Sequence, residues 1–177
     1  MPVLEAEPKV ERNDHAKFRK LVAKAQQHAP VKVAVAHPCD QVSLESAVEA
    51  AKLKLIEPIL VGPEQRIRAV AAEHGIDISQ FEIVDAAYSQ DSADKAVELV
   101  REGRAGALMK GSLHTDELMS AVVKRDTGLR TARRISHCFV MDVPDHDQPL
   151  IITDAAVNIA PDLKGKVDIT QNAIDLA

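Results

Sequence analysis

Aromatic side chains are nearly missing from this chain of 177 residues, which has no Trp, one Tyr and three Phe. Without large rings the core must be filled by Val, Ile, Leu and Ala, which suits a sheet covered by Ala-rich helices. Cysteine is as sparse: Cys39 and Cys138 stand far apart and in no CxxC pattern. That spacing signals neither a disulfide framework nor a zinc site, and a reducing cytoplasm is the default location. Positive charge is in deficit, with 22 Lys and Arg against 27 Asp and Glu for a net charge of −5. A general nucleic-acid-binding role is therefore disfavoured. No window approaches the roughly 18 apolar residues of a membrane span, and Met1 to Pro8 lacks the basic and apolar regions of a leader. Gly-x-Gly-x-x-Gly and Gly-x-x-x-x-Gly-Lys-Ser/Thr are also missing, which leaves a dinucleotide site and nucleoside triphosphate hydrolysis unsupported.

What is present is the balance of a soluble globular protein, 46% hydrophobic and 28% charged. Asp14 is a candidate N-cap for a helix carrying Phe18, Leu21, Val22 and Ala25, which Pro30 ends. Residues 32–36 read as a strand, and Ser43 can cap a helix presenting Leu44, Ala47, Val48, Ala51 and Leu55. Residues 57–61 form the next strand, followed by Gly62-Pro63 and a helix with Ile67, Val70 and Ala71 in register, closed by Gly75. A third strand at 81–84, a helix from Asp91 through Val100 and a fourth strand at 107–109 continue the rhythm. Such alternation implies right-handed βαβ crossovers and a largely parallel sheet in a three-layer α/β/α sandwich. After a helix from Thr115 to Lys124 the pattern changes: residues 135–143 and 150–153 are apolar runs joined by a polar tip, as in an antiparallel hairpin. The last helix is expected from Asp168. The expected organisation is a polar lead-in at 1–13, an α/β domain at 14–131 and the start of a second α/β domain at 132–177.

The richest chemistry lies in Gly106 to Asp116, where an apolar run ends in Lys110-Gly111-Ser112 and helix periodicity resumes through His114-Thr115-Asp116. A strand that delivers the chain to a glycine turn beside the positive end of a helix is how an anion site is built. Lys110, Ser112, His114 and Thr115 offer donors, and Gly111 lets backbone approach a ligand. The competing interpretation is a βα turn with Thr115 as N-cap. The stretch Lys124 to Arg134 holds five positive charges and one negative. Arg130, Arg133 and Arg134 there suit the phosphates of a molecule such as coenzyme A, or form a solvated loop or salt-bridge patch. His137, Cys138, Asp142, Asp145, His146 and Asp147 resemble a metal set only superficially. His137 and Cys138 would be strand neighbours facing opposite ways, so no metal is expected. Asp154 and Asn158 follow a strand end, where ligands of open sheets collect, or form an Asx turn and cap. His37 and Asp40 follow the first strand at an equivalent end.

Residues 108–115, then Ile152-Thr153-Asp154-Ala155-Ala156-Val157-Asn158 and Asn172-Ala173-Ile174, resemble the phosphate acetyltransferase and phosphate butyryltransferase family in order and spacing. The run Ile59 to Pro63 is similar to that family's strand exit, so the resemblance extends from about His15 to Ala177. It implies a short-chain acyltransferase that interconverts acyl-CoA and phosphate with acyl phosphate and coenzyme A. It also implies two α/β domains like those of isocitrate and isopropylmalate dehydrogenases, a cleft active site, a homodimer and no bound cofactor, coenzyme A being a substrate. By position, Lys110, Gly111, Ser112, His114 and Thr115 would line the phosphate or acyl side, with Asp154 and Asn158 on the wall. Where the acetyltransferase branch has a substrate arginine this sequence has Met119, which favours a butyryl-type or divergent acyl group. Family members are about two domains long. The resemblance therefore places the serine, arginine and carboxylate base beyond Ala177 and leaves this chain alone inactive. A second interpretation is a non-catalytic module that binds acyl phosphate or coenzyme A and dimerises. A third, a dehydrogenase-like domain, rests on fold analogy alone.

Overall fold

The computed structural model describes residues 15–144, 146–154 and 156–177. The polar lead-in, the Asp14 cap, Asp145 and Ala155 lie outside the described residues. Two compact units are present: one is Lys24–Ala132, and the other joins the described residues up to Ala23 with Arg133–Ala177.

The larger unit is built on four strands, β1 (Val31–Ala36), β2 (Ile56–Gly62), β3 (Glu82–Asp85) and β4 (Ala107–Lys110), all parallel in the order β3-β2-β1-β4. Alternation along β1 divides its side chains cleanly between two cores, as a period of two requires. Ala34 and Ala36 join Ile59 and Val61 beneath α4 (Ser89–Arg101) and α5 (Thr115–Val122), whose Ala93, Ala96, Val97, Leu118 and Ala121 face the sheet. Val33, Val35 and Leu60 face the other way, onto α2 (Gln41–Lys52) and α3 (Glu64–His74), through Leu44, Ala47, Val48, Ile67 and Ala71. The expected three-layer sandwich is thus present, and small alanines on the helices let those layers approach without aromatic filler.

The caps of α2 and α5 and the end of α2 differ from expectation, each for a local reason, while α5 starts at Thr115 as expected. The N-cap of α2 is Asp40, not Ser43: its carboxylate accepts from Ser43 N at 2.8 Å and Ser43 Oγ at 2.6 Å. The N-cap of α5 is His114, so Thr115 is the first helical residue, and Glu117 reaches back to His114 N at 2.9 Å. Leu55 lies beyond α2 because Leu53 ends it and Lys54 turns left-handed at φ 58. At the C-terminus of α3 Gly75 does adopt the left-handed conformation, φ 65.

The smaller unit holds β5 (Phe139–Met141) antiparallel to β6 (Leu150–Ile152), with Val140 opposite Ile151. The hairpin expected from the sequence is present but shorter, so His137 and Cys138 precede the strand. Its last helix, α6 (Leu163–Leu176), begins five residues before the expected Asp168, because Asp162 caps it by accepting from Gly165 N at 2.8 Å. Asp168 instead accepts from Arg134 N. The first helix, α1 (Ala16–Ala25), has a distant carboxylate at its start: Asp142 accepts from Phe18 N and pairs with Lys17 at 2.9 Å. Phe18 and Leu21 are 59% and 49% exposed, so these two of the apolar residues recurring along α1 are largely in water.

Gly111 is the position where the sheet geometry is least tolerant. A Cβ there would lie 2.5 Å from both the Ala36 and His37 carbonyl oxygens. Gly111→Ala should therefore destabilise the larger unit by about 1–3 kcal/mol in urea unfolding. A loss below a few tenths would mean that the β1 and β4 exits can separate freely.

Candidate functional site at the carboxyl edge of the sheet

Strand order reverses between β1 and β4, since the chain runs outward from β1 through β2 to β3 and then returns to β1's other side. Loops leaving such a pair diverge and open a crevice, the usual ligand position in open α/β sheets. Here the two exits are joined by backbone. Gly111 N donates to Ala36 O at 2.8 Å, and Ser112 N to His37 O at 2.9 Å. The Ser112 hydroxyl also donates to His37 O at 2.9 Å and accepts from Cys39 N at 3.3 Å. Gly111 thus brings backbone against backbone, and the single Ser112 proton is already placed.

Among the described residues, Lys110 keeps one donor in hand. Its Nζ donates to Leu113 O at 2.8 Å and Gly111 O at 3.1 Å, and an ammonium has three protons. His114 and Thr115 are exposed at the first turn of α5, whose leading amides have no helical acceptor. Ser89 Oγ donates to Glu117 at 2.5 Å, and this bond and the one from His114 N hold that carboxyl below its usual range.

His37 sits at the centre of this edge, buried, with the left-handed backbone φ of 57 that a non-glycine residue rarely adopts. Its N–H donates to Val61 O at 2.7 Å and its Nδ1 lies 2.9 Å from Ser92 Oγ. Burial, and then the Arg66 guanidinium, lower its pKa against the pull of Glu117. Burial raises the Cys39 thiol to about 11, with Arg66 opposing and Asp40 assisting. Cys39 is therefore a protonated thiol at neutral pH and a poor nucleophile. Asp40 is held low by its Ser43 bonds first and by Lys110 and Arg66 after them.

Arg66 and Ser92 were not legible as site residues. Arg66 carries a weak signal, since it lies in the first turn of the helix after β2, at the same sheet edge. Ser92 carries none, because only the packing of α4 against the sheet brings it to His37.

In the smaller unit Asp154 and Asn158 are occupied with each other. Asp154 accepts from the amides of His137, Ala156, Val157 and Asn158 and from the Asn158 side chain, while Asn158 also donates to Ile135 O at 2.9 Å. Desolvation pushes the Asp154 carboxyl up, but these bonds outweigh it and hold it well below the ordinary range. Arg133 is bonded to Asn172 and Asp175 of α6, and Arg134 to Asn158 at 3.3 Å. Arg130 is exposed in the larger unit, where Lys124 pairs with Asp94 at 2.6 Å. Among the described residues no group of His, Cys, Asp and Glu could hold a metal ion.

Fold and site define an open α/β protein with cationic side chains gathered at its switch point. The family model for phosphate acetyl/butaryl transferase matches residues 17–95 and 86–177, and the chain belongs to that family. The phosphate acetyltransferase of Rhizobium meliloti is 61% identical over 91% of this chain and 51% of its own length. The phosphate butyryltransferase of Clostridium acetobutylicum is 37% identical over 90% and 53%. Among solved structures, a phosphotransacetylase from Streptococcus pyogenes matches with a TM-score of 0.73 at 17% identity, over 86% of this chain and 56% of that one. A branched-chain phosphotransacylase from Enterococcus faecalis V583 matches at 0.66 and 24%, over 82% and 50%. At these identities the solved structures establish the fold. The chain spans about half the length of the curated relatives it matches.

The Asp154 network makes a pH prediction. A carboxyl whose folded pKa lies below its unfolded value near 3.8 stabilises the fold above that value and loses this as pH falls toward the folded pKa. Acid unfolding of the smaller unit should steepen below about pH 4, and Asp154→Asn should remove that acid-dependent part while lowering stability at neutral pH. An unchanged acid limb in the variant would detach Asp154 from the transition.

Proposed function

We propose that this chain supplies the phosphate-binding part of a phosphate acyltransferase acting on a short acyl group. The reaction is acyl-CoA plus hydrogen phosphate giving acyl phosphate plus coenzyme A, the phosphate proton ending on the thiol. An attacking phosphate must be held against a thioester carbonyl and its charge compensated, so positioning and cations are the first requirements. The observation that carries this reading is the unspent Lys110 donor at the switch point, with Arg66 close enough to act electrostatically on His37 and Asp40. Gly111, Ser112, His114 and Thr115 complete the phosphate or acyl side. Ser112 acts there through the loop it fixes, and His114 and Thr115 through exposed donors.

Asp154 and Asn158 belong to the same reading as a preformed wall element in the smaller unit, and we read the two units as two domains. Arg130 is the foremost candidate for the phosphates of coenzyme A, since Arg133 and Arg134 would have to leave the bonds they make to α6 and Asn158. The thiol-activating base and the remaining catalytic groups are assigned to sequence beyond that present in this chain. Cytoplasmic location is supported by two free cysteines. Homodimerisation is supported by apolar side chains that α6 leaves in water, among them Leu163, Val167 and Ile174.

Two measurements test this. Lys110→Ala should abolish most of the phosphate-dependent rise in melting temperature, because binding to the native state alone produces that rise. An undiminished rise would return the loop to a purely structural role. Thioester formation from an acyl phosphate and coenzyme A should require a chain extended to the relatives' full length. Equal turnover by the 177-residue chain would show that the base lies within it. Binding without turnover in both would favour the non-catalytic module.

A further inference from the structure

The hydrogen bonds around His37 favour one tautomer of its ring. Its Nδ1 lies 2.9 Å from Ser92 Oγ, and that hydroxyl directs its only proton to the Tyr88 carbonyl at 2.8 Å. Ser92 can therefore only accept from the imidazole, so Nδ1 carries the hydrogen and Nε2 of the neutral ring carries a lone pair. Burial, seconded by Arg66 and opposed by Glu117, keeps the ring neutral by lowering its pKa. His37 is only 7% exposed, yet its Nε2 is neither sealed from solvent nor bonded to another described residue.

An acceptor that feels both the Arg66 cation and the Glu117 carboxylate, on a sheet edge that also carries Lys110, can distinguish anions by their protons. Arg66, the free Lys110 proton and the α5 amides would favour any tetrahedral oxyanion. A lone pair at Nε2 repels an oxyanion without a proton and accepts a hydrogen bond from one that retains a proton. At neutral pH inorganic phosphate keeps at least one P–OH, whereas sulfate is fully deprotonated. We propose that His37 Nε2 accepts the P–OH hydrogen of inorganic hydrogen phosphate and thereby makes the site select phosphate over sulfate, an assignment that rests on the phosphate-site reading above. Ser92 is then a positioning residue, acting through the tautomer it enforces.

Calorimetric titration of the 177-residue chain with sodium phosphate and sodium sulfate, at equal ionic strength and about pH 7, tests this. Phosphate should bind about tenfold tighter or more, since sulfate offers Nε2 no proton and is repelled by its lone pair. In His37→Asn the amide can still donate to Ser92, and Asn tolerates the left-handed backbone, but the Nε2 acceptor is gone. The phosphate-to-sulfate ratio should fall to about one in that variant, through weaker phosphate binding and relief of the repulsion of sulfate. Long-range 15N–1H spectra should show the Nδ1–H tautomer in the parent and a tautomer mixture in Ser92→Ala, with a several-fold smaller ratio. Equal affinities in the parent, a preserved ratio in His37→Asn, or an Nε2–H ring would each overturn the assignment while leaving a phosphate site standing. Failure of either anion to bind would overturn the phosphate-site reading and the assignment with it.

Discussion

The carbonyl oxygen of His37 accepts three hydrogen bonds, from Cys39 N, Ser112 N and Ser112 Oγ. It carries the pairing of β1 and β4 past the last strand residues, to the point where the loops must part. Much of the candidate site follows from that tie. Gly111 has to be glycine because the tie draws two backbones together, and Lys110 is fixed next to it by carbonyls of the same turn. His37 takes a left-handed backbone there, and its buried ring meets Ser92 on α4. One constraint therefore sets both the shape of this sheet edge and the side chains placed along it.

The site's electrostatics follow from unequal burial. Arg66, Lys110 and Asp40 remain exposed and charged, whereas His37 and Cys39 are buried and held neutral. Neutral buried groups avoid the desolvation penalty that a charge there would carry. In the proposed phosphate site, cations at the rim would attract an oxyanion and the neutral acceptor would read its protonation. The smaller unit handles its carboxylate differently: Asp154 stays ionised because several backbone amides and Asn158 converge on it.

The parallel sheet, its helices and the loop after β4 were legible because each is local: apolar runs of strand length alternate with helical periods and end in glycine or proline. The start of α6 was not legible, because Gly165 in its first turn weakens the helical pattern and only the Asp162 cap announces it. Gly111 was legible as a close-approach glycine, but what it approaches was not, since Ala36 and His37 are distant in sequence. For Arg133 and Arg134 the sequence left phosphate capture, a solvated loop and a salt-bridge patch open, and in the structure they are bonded within their own unit. Spacing along the chain identifies which residues could act, whereas packing decides which donors are already engaged.

Amide chemical-shift mapping of the 15N-labelled chain during phosphate titration is the most direct measurement of whether this edge is the phosphate site. The account predicts saturable shifts concentrated at His37 to Asp40, Arg66, Ser92 and Lys110 to Asp116, with the smaller unit nearly unmoved. Shifts confined to the opposite edge of the sheet or to residues 133–177, or no saturation at all, would contradict it.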